Sequence, residues 1–183
     1  VKGTRVGIGI FDLCSRQSGN SISVKRKKEL TGRSWPNGCH VAEVEIDAET
    51  GEVRLDRYVS VDDVGNTVNP MIVHGQVQGG IASGLGQAVL ERTEYDASGQ
   101  LLSGSYMDYA LPRADDMPSL SGSLFEKAPC LTNPLGAKGT GEIGAVAGPP
   151  AIVHAVIDAL AEKGITQVDM PLQPQNIWKC LNR

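Results

Sequence analysis

Aromatic side chains are scarce in this chain of 183 residues, because Phe, Trp and Tyr together make up only 4% of it. A core therefore has to be built from aliphatic side chains and from close backbone approach at the 22 glycines. An excess of positive charge is also missing, since 17 Lys and Arg stand against 21 Asp and Glu and give a net charge of -4. No global field then attracts phosphate backbones, so we expect no nucleic-acid partner.

Cysteines with the spacing of a metal site are missing as well. The four cysteines, Cys14, Cys39, Cys130 and Cys180, form no C-x-x-C pattern, and neither a secretory signal nor a long apolar run stands ahead of them. These absences argue against an iron–sulfur or zinc site made by this chain. We expect reduced thiols, a cytoplasmic location and no membrane span.

The composition is that of one folded domain, with 40% hydrophobic and 21% charged residues. Apolar and acidic residues alternate over 42–46, a turn sequence follows at 47–51, and the apolar alternation resumes over 53–61. This pattern predicts a β-hairpin with one exposed face. Weaker signals predict a second hairpin over 91–102 and a short strand over 6–10.

A helix is predicted from about Pro70 to Leu90, because apolar residues recur there every four positions. Five glycines interrupt it: Gly75, Gly79, Gly80, Gly84 and Gly86. Each costs about 0.5–1 kcal/mol relative to Ala inside a helix. Close packing of another backbone, or of a flat ligand, would offset that cost.

Pro149-Pro150 and Lys163-Gly164 bracket an apolar stripe that predicts another helix. We expect a short strand over 165–170 and a terminal helix over 173–181. Because hairpins dominate a mixed order of elements, the predicted fold class is α+β, with β-hairpins packed against the glycine-rich helix and a C-terminal helix.

The segment 133–144 holds four glycines around Lys138 and Glu142. Such a loop lets backbone amides approach a ligand and orients its carboxylate, although a tight chain crossing explains the glycines equally well. Residues 139–144 match G-x-G-x-x-G in form, but prolines break the chain where that fingerprint needs a strand. Lys138 is followed by Gly139 rather than Ser or Thr, which excludes a P-loop.

The remaining polar residues give weaker signals. Adjacent carboxylates on a strand point to opposite faces, so we interpret Asp62-Asp63 and Asp115-Asp116 as capping or solvated residues. The histidines His40, His74 and His154 lack zinc-ligand spacing and are expected to be hydrogen-bonded structural residues.

Five motifs in fixed order resemble the xanthine dehydrogenase and aldehyde oxidase family of molybdenum hydroxylases, nearest its carbon monoxide dehydrogenase-like branch. The motifs are residues 36–47, residues 62–65 with Asn69-Pro70, residues 75–80, residues 107–116 and residues 136–142. The resemblance begins at about Pro36. It implies a molybdopterin-binding domain over 36–183 that is the C-terminal portion of a longer molybdenum-binding large subunit, while residues 1–35 stay poorly assigned.

The resemblance also implies an activity and its cofactors. The family hydroxylates a substrate carbon with an oxygen derived from water and passes hydride to molybdenum. The cofactor is molybdenum-molybdopterin, with the cytosine dinucleotide as one form of it, and iron–sulfur clusters and FAD are expected only on partner chains. We expect the chain to need the rest of the large subunit and to be inactive alone. A noncatalytic stand-alone domain that binds a partner chain or a small anionic ligand is the alternative.

Individual site residues follow from the same resemblance. Glu142 falls on the family's catalytic glutamate, which acts as a general base, and such a base contributes typically about 10²–10⁴-fold to the rate. Gln76, Gly79 and Gly80 match the helix that approaches the cofactor. The backbone amides of Gly139, Thr140 and Gly141 are expected near the cofactor, and no side chain is expected to ligate the metal.

Overall fold

The computed structural model describes residues 2–27, 29 and 32–182, and the chain divides into two compact units, 1–31 and 32–183. The first unit contains a short helix, α1 (Ile10–Ser15), and a 3-10 turn, Ser18–Asn20. The strand expected over 6–10 is wrong: residues 6–9 are not in a strand and α1 begins at Ile10. Two glycines weaken the strand propensity there, and the described residues of this unit bury too little surface to favour a sheet.

The second unit is built around a three-stranded sheet in the order β1-β2-β3. Strand β1 (Asn37–Ile46) pairs antiparallel with β2 (Val53–Asp63), so the predicted first hairpin is confirmed. Its turn is closed by Asp47, whose Oδ1 accepts hydrogen bonds from the backbone N–H groups of Glu49 and Thr50 at 2.8 and 3.0 Å. Strand β3 (Ser119–Leu124) lies parallel to β2.

The predicted second hairpin is reduced to one bridge, between Tyr95 and Leu101. The turn between them forms as expected, with Asp96 accepting from the backbone N–H groups of Ser98 and Gln100. Both flanks are exposed, so no buried face extends the ladder beyond that bridge.

The predicted glycine-rich helix is confirmed as α2 (Pro70–Leu85), followed by a π-helical turn, Gly86–Leu90. The Asn69 side chain caps it by accepting from the Ile72 N–H at 3.3 Å. The C-terminal helix α4 (Pro174–Leu181) is confirmed as well. The strand expected over 165–170 is wrong, because that segment pairs with no strand among the described residues.

Helix α3 (Ile143–Leu160) begins six residues before the predicted start, so that Pro149 and Pro150 lie inside it. Its predicted end is confirmed, since a 3-10 turn runs to Lys163 and Gly164 adopts φ +74°. The first turns of α3 stay helical despite their glycines and prolines because they pack on α2. A Cβ placed on Gly84 would lie 2.9 Å from Cδ of Pro149, so only glycine leaves room for the proline ring.

The core lies between the sheet and the α2–α3 pair. Its buried residues include Leu55 and Tyr58 of β2, Val77 and Ile81 of α2, and Ile152, Val156 and Leu160 of α3. Mixed helices around a small mixed sheet confirm the α+β class. By length and composition alone, Ile143–Lys163 is long and apolar enough to cross a membrane. Six of its residues are buried inside this unit, which is also the behaviour of a core helix.

Candidate functional site

The glycine-rich loop is tied firmly to the end of β2. The Gly136 carbonyl accepts hydrogen bonds from the backbone N–H groups of Asn66 and Cys130, at 2.9 and 2.8 Å. The Lys138 N–H donates to the Val64 carbonyl at 2.7 Å. Gly65 adopts φ +65°, and a side chain there would collide with the Gly136 carbonyl. The loop therefore leaves the sheet at a defined place.

An ion pair reinforces this attachment. The Lys138 Nζ lies 2.6 Å from Oδ2 of Asp63, and the two side chains are only 10% and 11% exposed. Burial by itself would raise the pKa of the Asp63 carboxyl, but the hydrogen bonds from Lys138 and from the Gly65 N–H, together with the lysine charge, lower that pKa below its usual value. Asp63 is thus a buried ionic partner rather than a solvated residue, whereas its expected capping role is confirmed by the hydrogen bond that its Oδ1 accepts from the Gly65 N–H at 2.9 Å.

A cavity of about 540 Å³ lies beside the loop. One wall comes from Trp35 and Pro36, which precede β1, and from His40 within β1, and the other comes from the loop and the first turns of α3. The loop residues that line it are Gly139, Thr140, Gly141 and Glu142. Four of the seven predicted site residues therefore share one wall of one cavity.

Unused hydrogen-bond donors line this wall. Within the described part of the chain, the backbone N–H groups of Gly139, Thr140, Gly141 and Glu142 donate to no acceptor. Glu142 also occupies the N-cap position of α3, whose first-turn N–H groups carry a partial positive charge. The Thr140 Oγ1 is buried and has no hydrogen-bond partner among the described residues. Such a wall suits an anionic or multiply hydrogen-bonding ligand.

The three predicted site residues on α2 take different positions. The Gln76 Oε1 lies 3.8 Å from the place a Cβ on Gly141 would occupy, so this side chain meets the loop. A side chain at Gly79 would meet no atom within 4 Å. Gly80 instead faces α3, where its Cβ would lie 2.7 Å from the Ala145 backbone N.

A buried polar network extends behind the cavity from His40, and it does not follow from the sequence. The His40 Nε2 lies 2.9 Å from Oδ1 of Asp62, and the His40 Nδ1 lies 2.9 Å from the Tyr58 hydroxyl. Ser60 donates to the other Asp62 oxygen at 2.8 Å. These partners lie on neighbouring strands but 18 to 22 positions apart in sequence, so no local pattern reveals them. His40 is hydrogen-bonded as expected, whereas Asp62 is buried rather than solvated.

Comparison with known proteins identifies the family. Residues 14–118 match the molybdopterin cofactor-binding domain. The carbon monoxide dehydrogenase large chain of Hydrogenophaga pseudoflava is 38% identical over 148 residues, which are 81% of this chain and 18% of that protein. The nicotine 6-hydroxylase large subunit of Paenarthrobacter nicotinovorans is 37% identical over 143 residues, which are 78% of this chain and 17% of that protein.

A solved structure agrees with these relatives. The crystal structure of quinoline 2-oxidoreductase from Pseudomonas putida 86 superposes with a TM-score of 0.78 at 40% identity, covering 81% of this chain and 19% of that chain. Because the family model matches more than half of its residues, the chain belongs to the molybdopterin cofactor-binding domain family. The resemblance to molybdenum hydroxylases is confirmed. The relatives of this chain are molybdenum-dependent hydroxylases and dehydrogenases.

The chain spans less than a fifth of the length of the two relatives. The stretch that matches the family model contains β1, β2 and α2, with Gln76, Gly79 and Gly80, and it ends before the loop that carries Glu142.

Proposed function

We propose that residues 36–183 form part of the molybdopterin site of a molybdenum-dependent hydroxylase, in which Glu142 is the general base. The observation that carries this proposal is the shared cavity wall of Glu142 and the unpaired backbone N–H groups of Gly139, Thr140 and Gly141. One wall offers both hydrogen-bond donors for a cofactor and a carboxylate for proton transfer.

The wall fits the cofactor chemically. Molybdopterin carries polar ring atoms and a phosphate, which accept hydrogen bonds from backbone amides and are favoured at a helix N-terminus. Thr140 adds an unpartnered hydroxyl, and Gly139 leaves space because a Cβ there would meet no atom within 4 Å. Gln76 and Gly79 would border the cofactor from α2. Gly80 would let α2 and α3 approach each other closely beside the cofactor. The form of the cofactor that we propose to test first is the molybdopterin cytosine dinucleotide.

The bound cofactor would supply the two-electron oxidation and the oxygen transfer to a substrate carbon. The chain supplies the proton acceptor, since the Glu142 carboxylate is exposed at the cavity wall and free to receive a proton at an oxygen. Apolar side chains of both walls, Trp35 on one and Val146 on the other, would limit the water that reaches this carboxylate once a substrate is bound.

Partners complete the enzyme in this proposal. The relatives are a large chain and a large subunit, and this chain spans less than a fifth of each. We propose that the rest of such a large subunit supplies most cofactor and substrate contacts, and that iron–sulfur and flavin subunits accept the electrons. The chain would act in the cytoplasm and would be inactive alone.

A substitution of Glu142 tests the assigned role. In the enzyme that contains this chain, Glu142→Gln should lower turnover by about 10²–10⁴-fold at unchanged molybdenum content, because a general base contributes that much. Glu162→Gln is the matched control, since Glu162 is an exposed glutamate just past the far end of α3. Turnover of Glu142→Gln within about tenfold of the parent would show that another group takes the proton.

The unpaired N–H groups also favour a second candidate, a noncatalytic domain that binds a small anion or a partner chain at the same wall. Metal content separates the two candidates. A noncatalytic domain isolated from its source would contain no molybdenum, and inorganic phosphate would then shift the amide signals of Gly139, Thr140 and Gly141.

A further inference from the structure

The ion pair between Lys138 and Asp63 stands apart from the exposed ion pairs of the same unit. Its side chains are 10% and 11% exposed, whereas Arg57 and Glu43, an exposed pair on β2 and β1, are 65% and 60% exposed. Water and salt screen an exposed pair, which therefore contributes little, but removing one partner of a shielded pair is strongly destabilising. The Lys138–Asp63 pair is thus a strong local constraint.

Both residues are held by their backbone surroundings as well. The Lys138 N–H donates to the Val64 carbonyl at 2.7 Å, and the second Asp63 oxygen accepts from the Gly65 N–H at 2.9 Å. Ala137 and Gly65 form a β-bridge beside them. The main chain and the side chain of Lys138 are therefore fixed to the same corner of β2.

The next three residues, 139–141, have less support. From Gly139 to Glu142, the backbone N–H groups donate to no acceptor in the described residues. The chain is fixed again at Glu142, whose carbonyl accepts from the Val146 N–H at 2.9 Å, and at Gly144, which packs against α2 beside Gly80. The course of residues 139–142 thus depends on two fixed ends, and Lys138 provides the first.

We propose that Lys138 and Asp63 are positioning residues for Glu142. Their ion pair holds residues 139–142 in the open course in which the free N–H groups line the cavity and the Glu142 carboxylate stands at its wall. This inference rests on the function proposed for that wall. A displacement of about 1 Å at a reacting group can lower a rate by about 10²-fold, which is why a distant ion pair matters for catalysis.

Backbone order in the 183-residue chain tests the inference without cofactor or activity. In the unsubstituted chain, 15N relaxation should give residues 139–142 order parameters near about 0.85, the value of rigid backbone. In Lys138→Met, the same amides should fall below about 0.6 while the interior of α3 stays rigid. Lys127→Met is the control, because Lys127 is an exposed lysine of a nearby loop, and it should leave residues 139–142 unchanged.

Conservative variants separate charge from side-chain bulk. Lys138→Arg keeps the charge and should keep residues 139–142 ordered, whereas Asp63→Asn should loosen them as Lys138→Met does. Order parameters of 139–142 that stay at the parent value in both Lys138→Met and Asp63→Asn would overturn the inference. If Lys138→Met fails to fold, the order parameters of the unsubstituted chain decide. Values below about 0.6 for its residues 139–142 would show that the ion pair does not fix the loop.

Kinetics in the enzyme that contains this chain complete the test. Lys138→Met should lower kcat by about 10- to 100-fold, with KM changed by less than about threefold and molybdenum content retained. An unchanged kcat would overturn the inference even if the loop loosens. Failure of the proposed function is distinguishable, because Glu142→Gln would then leave turnover intact whatever Lys138→Met does.

Discussion

Gly80 of α2 and Gly144 of α3 bring the two helices into backbone contact. A Cβ on Gly80 would lie 2.8 Å from Cα of Gly144, closer than real Cβ atoms approach a backbone. This contact explains why Gly80 is tolerated in a helix that contains four glycines, each of which lowers helix stability. It also sets the place of the first turn of α3, and Glu142 immediately precedes that turn.

The contact predicts opposite effects for two Gly→Ala substitutions in the same helix. Gly80→Ala should destabilise the fold by about 1–3 kcal/mol, because its methyl group meets the α3 backbone. Gly75→Ala should stabilise it by about 0.5–1 kcal/mol, because a side chain there meets no atom within 4 Å. Urea denaturation of both variants measures the difference, and a Gly80→Ala variant at least as stable as the parent would show that α2 and α3 do not pack closely.

The buried network behind the cavity predicts a cost for removing one hydroxyl. The Tyr58 hydroxyl is the hydrogen-bond partner of the His40 Nδ1, while the His40 Nε2 faces the Asp62 carboxylate. Burial and the charge of Asp62 raise the pKa of Tyr58, which keeps its hydroxyl protonated. Tyr58→Phe should therefore lower the free energy of unfolding by about 1–3 kcal/mol, since it leaves a buried ring nitrogen without a partner.

Tyr95→Phe is the control for that measurement, because Tyr95 is 62% exposed. Its effect should stay within about 0.5 kcal/mol. If Tyr58→Phe unfolds at the same urea concentration as Tyr95→Phe, the network contributes nothing to stability.

The Lys138–Asp63 pair predicts a pH dependence of stability. The pKa of Asp63 is lowered in the folded chain, so its contribution is fully present above the ordinary value of 3.8 and is lost as the pH falls through the lowered value. The gap in unfolding free energy between the parent and Asp63→Asn should be constant above about pH 5 and should shrink below about pH 4. Urea denaturation over this pH range measures the gap. Asp158→Asn, at an exposed position of α3, should show no such change, and a gap that widens on acidification would contradict the assignment.

Local patterns were sufficient for part of the fold. The hairpin of β1 and β2 and the helix α2 follow from periods of two and about four residues, and both are confirmed. The start of α3 was missed because Gly144, Gly148 and Pro149 weaken its helical signal, and packing against α2 compensates for them. Strand β3 was missed because its six residues include only two apolar side chains.

The candidate site was likewise predictable only in part. Motif order indicated the loop from Gly139 to Glu142, and the structure places these residues on one cavity wall. The partner of Lys138 was not predictable, since Asp63 lies 75 positions away and meets it only through the fold. The unused N–H groups of the loop were not predictable either, because they depend on how the described residues of the fold are arranged around the loop.

Molybdenum per copy of this sequence tests the central claim most directly. The protein that contains the chain would be isolated from its own source under native conditions, with its partner chains left attached, and its metal and pterin content measured. We expect about one molybdenum and one molybdopterin for each copy, in a complex with iron–sulfur and flavin chains. A solitary 19.4 kDa protein without molybdenum would contradict the account, and the role of Glu142 as a base would fall with it.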